Sequence, residues 1–104
     1  MHYRDQTYLL DMLILAREAV ELFGSMTSED LEADRIQELA AVRAVEVIGE
    51  AASQVSKEVQ EQYHEIHRLA QYYKNTNLET PARIVGEELP PLIEQLQAII
   101  GKGA

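Results

Sequence analysis

The chain has 104 residues, no cysteine, 9 basic against 18 acidic side chains and a formal net charge of −9, which fits one domain (residues 1–104) with a core of its own. Disulfides and thiolate metal sites are excluded, a reducing cytoplasm is the expected setting, and neither a membrane-spanning run nor a signal peptide can be read in the sequence. A summed negative field repels phosphate, and Arg4, Arg17, Lys57, Arg68, Lys74 and Arg83 are scattered along the chain. Either a local cationic cleft forms when two chains meet, or a nucleic acid is not the ligand of this chain alone; an acidic, soluble surface is the plainer reading.

The first element predicted is a helix over residues 3–23, with Leu9, Met12, Leu13, Ala16, Val20 and Phe23 on one face. Leu10, Ile14, Leu15 and Leu22 carry the apolar surface past half of its girth. Such a rod needs two partners, which points to a dimer interface; a deeply buried central helix would have the same pattern. Gly24 should end it and Thr27 or Ser28 should open a second helix, whose first turn carries Glu29 and Asp30.

A long helix is expected over about residues 34–56, through Ile36, Leu39, Ala40, Val47, Ile48, Ala51 and Val55. Gly49 at its centre costs about 1 kcal/mol relative to Ala, and close approach of another helix is the expected compensation. A third long segment should run over about residues 60–73. The last begins at an Asn77 N-cap, tolerates Pro81 in its first turn, and must kink or split near Leu89 because of Pro90 and Pro91. Leu92, Ile93, Leu96, Ile99 and Ile100 then form a closing amphipathic face. No stretch alternates with period two, so the expected fold is all-α: an up-and-down bundle of four to five helices, dimer-forming.

Four segments in order carry a family resemblance: Arg4-Asp5-x-x-Tyr8-Leu9-Leu10-Asp11, Val42-Arg43-Ala44-Val45-Glu46-Val47-Ile48-Gly49-Glu50, His67-Arg68-Leu69-Ala70-Gln71-Tyr72-Tyr73, and Glu87-Glu88-Leu89-Pro90-Pro91. At this spacing the chain resembles the HepT-like toxins, helical ribonucleases of the HEPN class, over nearly its whole length. The resemblance implies a homodimer that cleaves RNA without metal or cofactor, through an Arg and a His-x-Tyr sequence, using the RNA's own 2′-hydroxyl. It also implies a neighbouring minimal nucleotidyltransferase antitoxin, which attaches AMP to the motif Tyr. Tyr73 falls on that Tyr, making it the expected AMP acceptor, and Asn77 falls on the polar residue that opens the next helix.

The pattern is broken at two points. Gln71 stands where the family has its His, and an amide neither gains nor loses a proton at working pH. Ile66 stands where the motif Arg should be, and the stretch between Ile66 and His67 is short by ~9 residues, about two and a half helical turns. Arg68 matches a secondary basic position and His67 the polar residue beside the motif Arg. Arg68, His67 and Gln71 are thus the candidate catalytic positions, with His67 open to recruitment as a base.

Other groupings have plainer explanations. Glu61-x-x-His64-x-x-His67 has ligand spacing, but a solvated helix face accounts for it and no metal site is expected. Glu46 and Glu50 could form an acid pair; pairing with Arg43 or Arg17 is the simpler reading. Two alternatives to a toxin stand: a non-catalytic HEPN-like module that keeps dimer and partner surfaces, and an unrelated acidic helical adaptor.

Overall fold

A computed structural model describes residues 2–75 and 81–103. In chain order it contains α1 (Tyr3–Phe23), α2 (Ser28–Glu32), α3 (Arg35–Gln54), α4 (Lys57–Gln62), α5 (His64–Asn75), α6 (Pro81–Arg83), a π-helical turn (Ile84–Glu88) and α7 (Leu89–Gly103). No strand occurs among the described residues. Three long rods (α1, α3 and α5) and the composite α6–π–α7 make up the expected bundle, and the short α2 and α4 lie in the connections.

Local chemistry sets the helix ends. His2 caps α1, its Nδ1 accepting from the Arg4 amide at 3.1 Å. Gly24 closes α1 as expected, but with right-handed backbone angles, so its value there is not left-handed freedom. Thr27 and Asp30 form a reciprocal capping box on α2. Asp34 accepts from the amides of Ile36 and Gln37 and opens α3. The expected Asn77 cap lies outside the described residues.

The core stripe of α1 is Leu9, Met12, Leu13, Ala16, Ala19 and Phe23, with Val20 only half-buried. In α3 the buried stripe is Ala41, Val45, Ile48 and Ala52, joined by Ala51, and Val55 follows as the C-cap. Ile36 and Leu39, expected on the same pattern, are exposed instead. They stand roughly 140° and 200° around the helix from Ala41, off the face that meets the core. Ile66, Leu69 and Ala70 of α5 and Leu92, Leu96 and Ile99 of α7 complete the packing.

Two departures from the sequence reading bear on function. The third segment begins earlier than expected and is divided: Tyr63 takes extended angles between α4 and α5, so Glu61 and His64 do not share one helix. The expected division at Leu89 takes the form of a π turn, in which the Leu89 amide donates to the Ile84 carbonyl. Pro90 and Pro91 lack amide hydrogens and crowd the carbonyls of the preceding turn. A wider turn just ahead of them relieves that crowding without leaving the helix.

The α1 and α3 rods run antiparallel. Buried Asp5, in the first turn of α1, accepts from the amide (2.9 Å) and the hydroxyl (2.8 Å) of Ser56, just past the end of α3. Ser56 in turn caps α4 by accepting from the Val59 amide. On the far side of α3, Gly49 admits α5: a Cβ built there would lie 2.9 Å from the Cβ of Tyr73 and 3.5 Å from the carbonyl oxygen of Leu69. The mid-helix glycine is therefore matched by a close helix contact, as its sequence setting requires.

Candidate functional site

The middle of α5 distributes the residues singled out in the sequence over two faces. His64, His67, Arg68 and Gln71 fall within an arc of about 100° on its outer side. Tyr73 lies about 180° from His64 and continues the buried stripe Ile66, Leu69, Ala70 by one more turn. It rests against Gly49 of α3 and stays 37% exposed. The structure thus gathers His67, Arg68 and Gln71 on one face and sets Tyr73 on another. Ile66, at the position of the expected motif Arg, is fully buried core.

The charged chemistry on the outer face centres on Arg68. Its Nη1 donates to Glu88 Oε2 at 3.1 Å, reaching from α5 to the end of the π turn. Arg83 Nη1 donates to the other oxygen of the same carboxylate, also at 3.1 Å. The Glu88 side chain is 8% exposed, against 42% for each arginine, so one buried carboxylate holds two half-open guanidinium groups side by side. Burial alone would push the Glu88 carboxyl up. Hydrogen bonds and charge from Arg68 and Arg83 outweigh it and hold the group below the ordinary glutamate value. Exposed Glu87 stands 4.0 Å from Arg83, a weak surface pair.

His64 completes the cluster. Its Nε2 lies 2.9 Å from Arg68 Nη2. A guanidinium has donors and no acceptor, so in this contact arginine donates and the imidazole nitrogen accepts. The outer face of α5 therefore presents an imidazole against a cation anchored from behind by a carboxylate. Arg43 pairs with Glu46 at 3.9 Å, in keeping with the simpler reading of that acid, and Glu50 lines a groove between α1 and α3. Among the described residues no group of three or more His, Cys, Asp or Glu is placed to hold a metal ion.

Arg83 and Glu88 were not legible as site residues in the sequence, and His64 was legible only as part of a metal-like spacing. An α-helix sets residues five apart about 140° from one another. Only the π turn brings Arg83 and Glu88 to the same side, and no local signal pairs Glu88 with Arg68 twenty positions earlier. The Pro90-Pro91 pair behind Glu88 was the one available hint of irregular backbone there.

Two further surfaces flank these rods. A groove of about 450 Å³ between α1 and α3 is lined by Tyr8, Asp11, Ile14, Leu15, Val47, Glu50, Ala51 and Gln54. On the same two rods Leu10 (48%), Ile14 (47%) and Leu22 (66%) are exposed, as are Ile36 and Leu39 near the start of α3. The apolar excess predicted for the first helix is therefore only partly absorbed by the core. No helix among the described residues is long and apolar enough to cross a membrane.

An all-α bundle with this order of rods has the architecture of a HEPN-like domain. The profile of the HepT-like family, described as "Ribonuclease HepT-like", matches residues 12–99, and the chain belongs to that family. Comparison with the curated proteins and with the solved structures gives no match.

Proposed function

We propose that this chain is the RNA-cleaving subunit of a toxin–antitoxin pair, acting in the cytoplasm as a homodimer. Its cognate partner is a minimal nucleotidyltransferase antitoxin, which silences it by attaching AMP to Tyr73. The match to the ribonuclease family over residues 12–99 carries this reading. The pairing of Arg68 and Arg83, with His64 beside them, supports it by concentrating positive charge on a protein of net charge −9. Metal-independent cleavage requires a base for the 2′-hydroxyl proton and a cation for charge growing on the phosphate. Tyr73 faces away from the arginine pair, so an AMP there would oppose RNA through added bulk and negative charge on an already acidic chain and not by filling the arginine face.

The open apolar side of the α1/α3 pair supports the homodimer. Leu10, Ile14 and Leu22 on a long antiparallel pair are what a second pair needs to close a four-helix interface. An Ile14→Asp substitution places a charge on that face and should convert a dimer to a monomer while leaving the helical content intact. Sedimentation velocity with circular dichroism checks this. Equal sedimentation of the two proteins would remove Ile14 from the interface.

A second reading, a non-catalytic dimeric binding module, is favoured by one observation: Gln71 occupies the family's His position and cannot shuttle a proton. The experiment that tests the proposed function is incubation of the purified chain with RNA, before and after treatment with the nucleotidyltransferase and ATP, followed by mass spectrometry. The proposed function predicts RNA cleavage that stops when an AMP adduct forms on Tyr73. RNA left intact by the untreated chain favours the binding module, and an adduct found only on another residue removes the role of Tyr73.

A further inference from the structure

We propose that His64 is the general base for RNA cleavage in this chain, held masked by Arg68 until a phosphate draws the guanidinium away. The inference rests on the ribonuclease reading above and names a residue that lies outside the family's His position.

The geometry contains the parts such a step requires. His64 is exposed at the start of α5, with its Nε2 2.9 Å from Arg68 Nη2, the donor in that contact. It stands nearly in line with Gln71 along the same face, about two helical turns earlier, so the family's base position and this imidazole look out on one surface. Arg68 is half-open and fixed through its other nitrogen to buried Glu88. It can therefore swing one nitrogen toward a ligand without losing its anchor. Arg83, bonded to the opposite oxygen of Glu88, supplies a second cation beside it. A phosphodiester oxygen carries more negative charge than an imidazole nitrogen and makes the stronger, charge-assisted partner for guanidinium. Binding of the scissile phosphate would then turn Arg68 Nη2 from the imidazole to the phosphate, in one motion placing the cation and freeing Nε2.

In the step that follows, the 2′-hydroxyl gives its proton to Nε2 and the 2′-oxygen forms a bond to phosphorus. The bond from phosphorus to the 5′-oxygen breaks, that oxygen takes a proton from water, and the imidazolium proton neutralises the hydroxide left behind. The products are a 2′,3′-cyclic phosphate and a 5′-hydroxyl, with no change in oxidation state and no co-reactant. Coupling the base to phosphate binding explains how a chain with Gln71 can retain a proton acceptor on the correct face.

The test uses the full chain, His64→Gln and His64→Ala on one RNA substrate, with melting temperatures measured in parallel. Glutamine retains a carbonyl that can accept from Arg68 but cannot carry a proton, so the pairing survives and the chemistry does not. The expected result is an unchanged melting temperature and a fall in cleavage rate of about 10²–10⁴-fold for His64→Gln, the range for loss of a general base. Added imidazole should restore part of the rate to His64→Ala. Cleavage by His64→Gln within threefold of the unsubstituted chain overturns the assignment and leaves the ribonuclease reading intact, as does a loss that imidazole fails to repair. Absence of cleavage by the unsubstituted chain overturns both together.

Discussion

Substituting Gly49 by valine should lower stability by about 2–3 kcal/mol, the scale of overpacking a tight contact. For a domain of about 100 residues that is a fall in melting temperature of roughly 8–24 °C. The cause is the contact between α3 and α5. A Cβ at Gly49 would meet the Cβ of Tyr73 at 2.9 Å, and a Cβ is fixed to the backbone and cannot swing aside. Alanine makes the sharper test. In an exposed helix, Gly→Ala gains about 1 kcal/mol; here the same methyl must push α5 away, and the overpacking cost of about 1–3 kcal/mol cancels or outweighs the gain. Gly49→Ala should therefore melt no higher than the unsubstituted chain, and Gly49→Val clearly lower. A rise in the melting temperature of Gly49→Ala would contradict the close approach. Because the displaced residue is Tyr73, the same variants should also change the yield of AMP adduct at that tyrosine, which intact-mass measurement reads directly.

Replacing Glu88 by glutamine should cost about 1.5 kcal/mol above pH 6, or roughly 6–12 °C in melting temperature. Charge-assisted bonds from Arg68 and Arg83 to a buried carboxylate would otherwise suggest more. Both arginines are half-exposed, however, and water replaces part of what each loses. The pH dependence has a definite sign. The two guanidinium groups hold the folded-state carboxyl of Glu88 below its ordinary value, against the opposing push of burial. The folded chain therefore binds fewer protons at this site than the unfolded chain. The stabilisation is complete above the unfolded glutamate pKa of about 4.3 and is lost as pH falls through the lower folded value. Thermal melts between pH 3 and pH 7 should show the gap between Glu88→Gln and the unsubstituted chain closing toward the acid end. A gap of constant size would mean that the ion pairs contribute nothing to stability.

The consequences for the site are separate from those for the fold. Glu88 fixes Arg68 from behind, and Arg68 in turn meets His64. Removing the carboxylate leaves both cations present without the group that links them. A protein of net charge −9 has few ways to offer a phosphate a positive surface. Pairing two arginines across one buried carboxylate holds them together where their own repulsion would part them.

Much of the architecture was legible in the residues themselves. The 3.6-residue spacing of Leu9, Met12, Leu13, Ala16 and Phe23 marks α1, and Thr27 is one of the two caps expected for α2. The apolar pattern from about residue 34 places α3, whose Asp34 cap only the structure reveals. Gly49 was read as a close contact because a glycine in mid-helix needs a compensating gain, and α5 meets it there. The exposed Ile36 and Leu39 were misread because periodicity reports which residues share a face, not how far along a rod the core extends. The break at Tyr63 had no proline or glycine to mark it.

The site was less legible than the fold, for a physical reason. His67, Arg68 and Gln71 share a face simply because they lie on one continuous helix, and spacing alone could reveal that. The bond from Arg68 to Glu88 depends on how α5 packs against the π turn, which no local pattern encodes. His64 gained its meaning only when Tyr63 ended α4, which detached it from Glu61 and left it facing Arg68.

The most direct measurement is the chemistry of the RNA ends made by the purified chain in excess chelator. Cleavage that persists without divalent metal and leaves 2′,3′-cyclic phosphate and 5′-hydroxyl ends is the predicted result. RNA that stays intact, or fragments that end in 3′-hydroxyl groups, would contradict it.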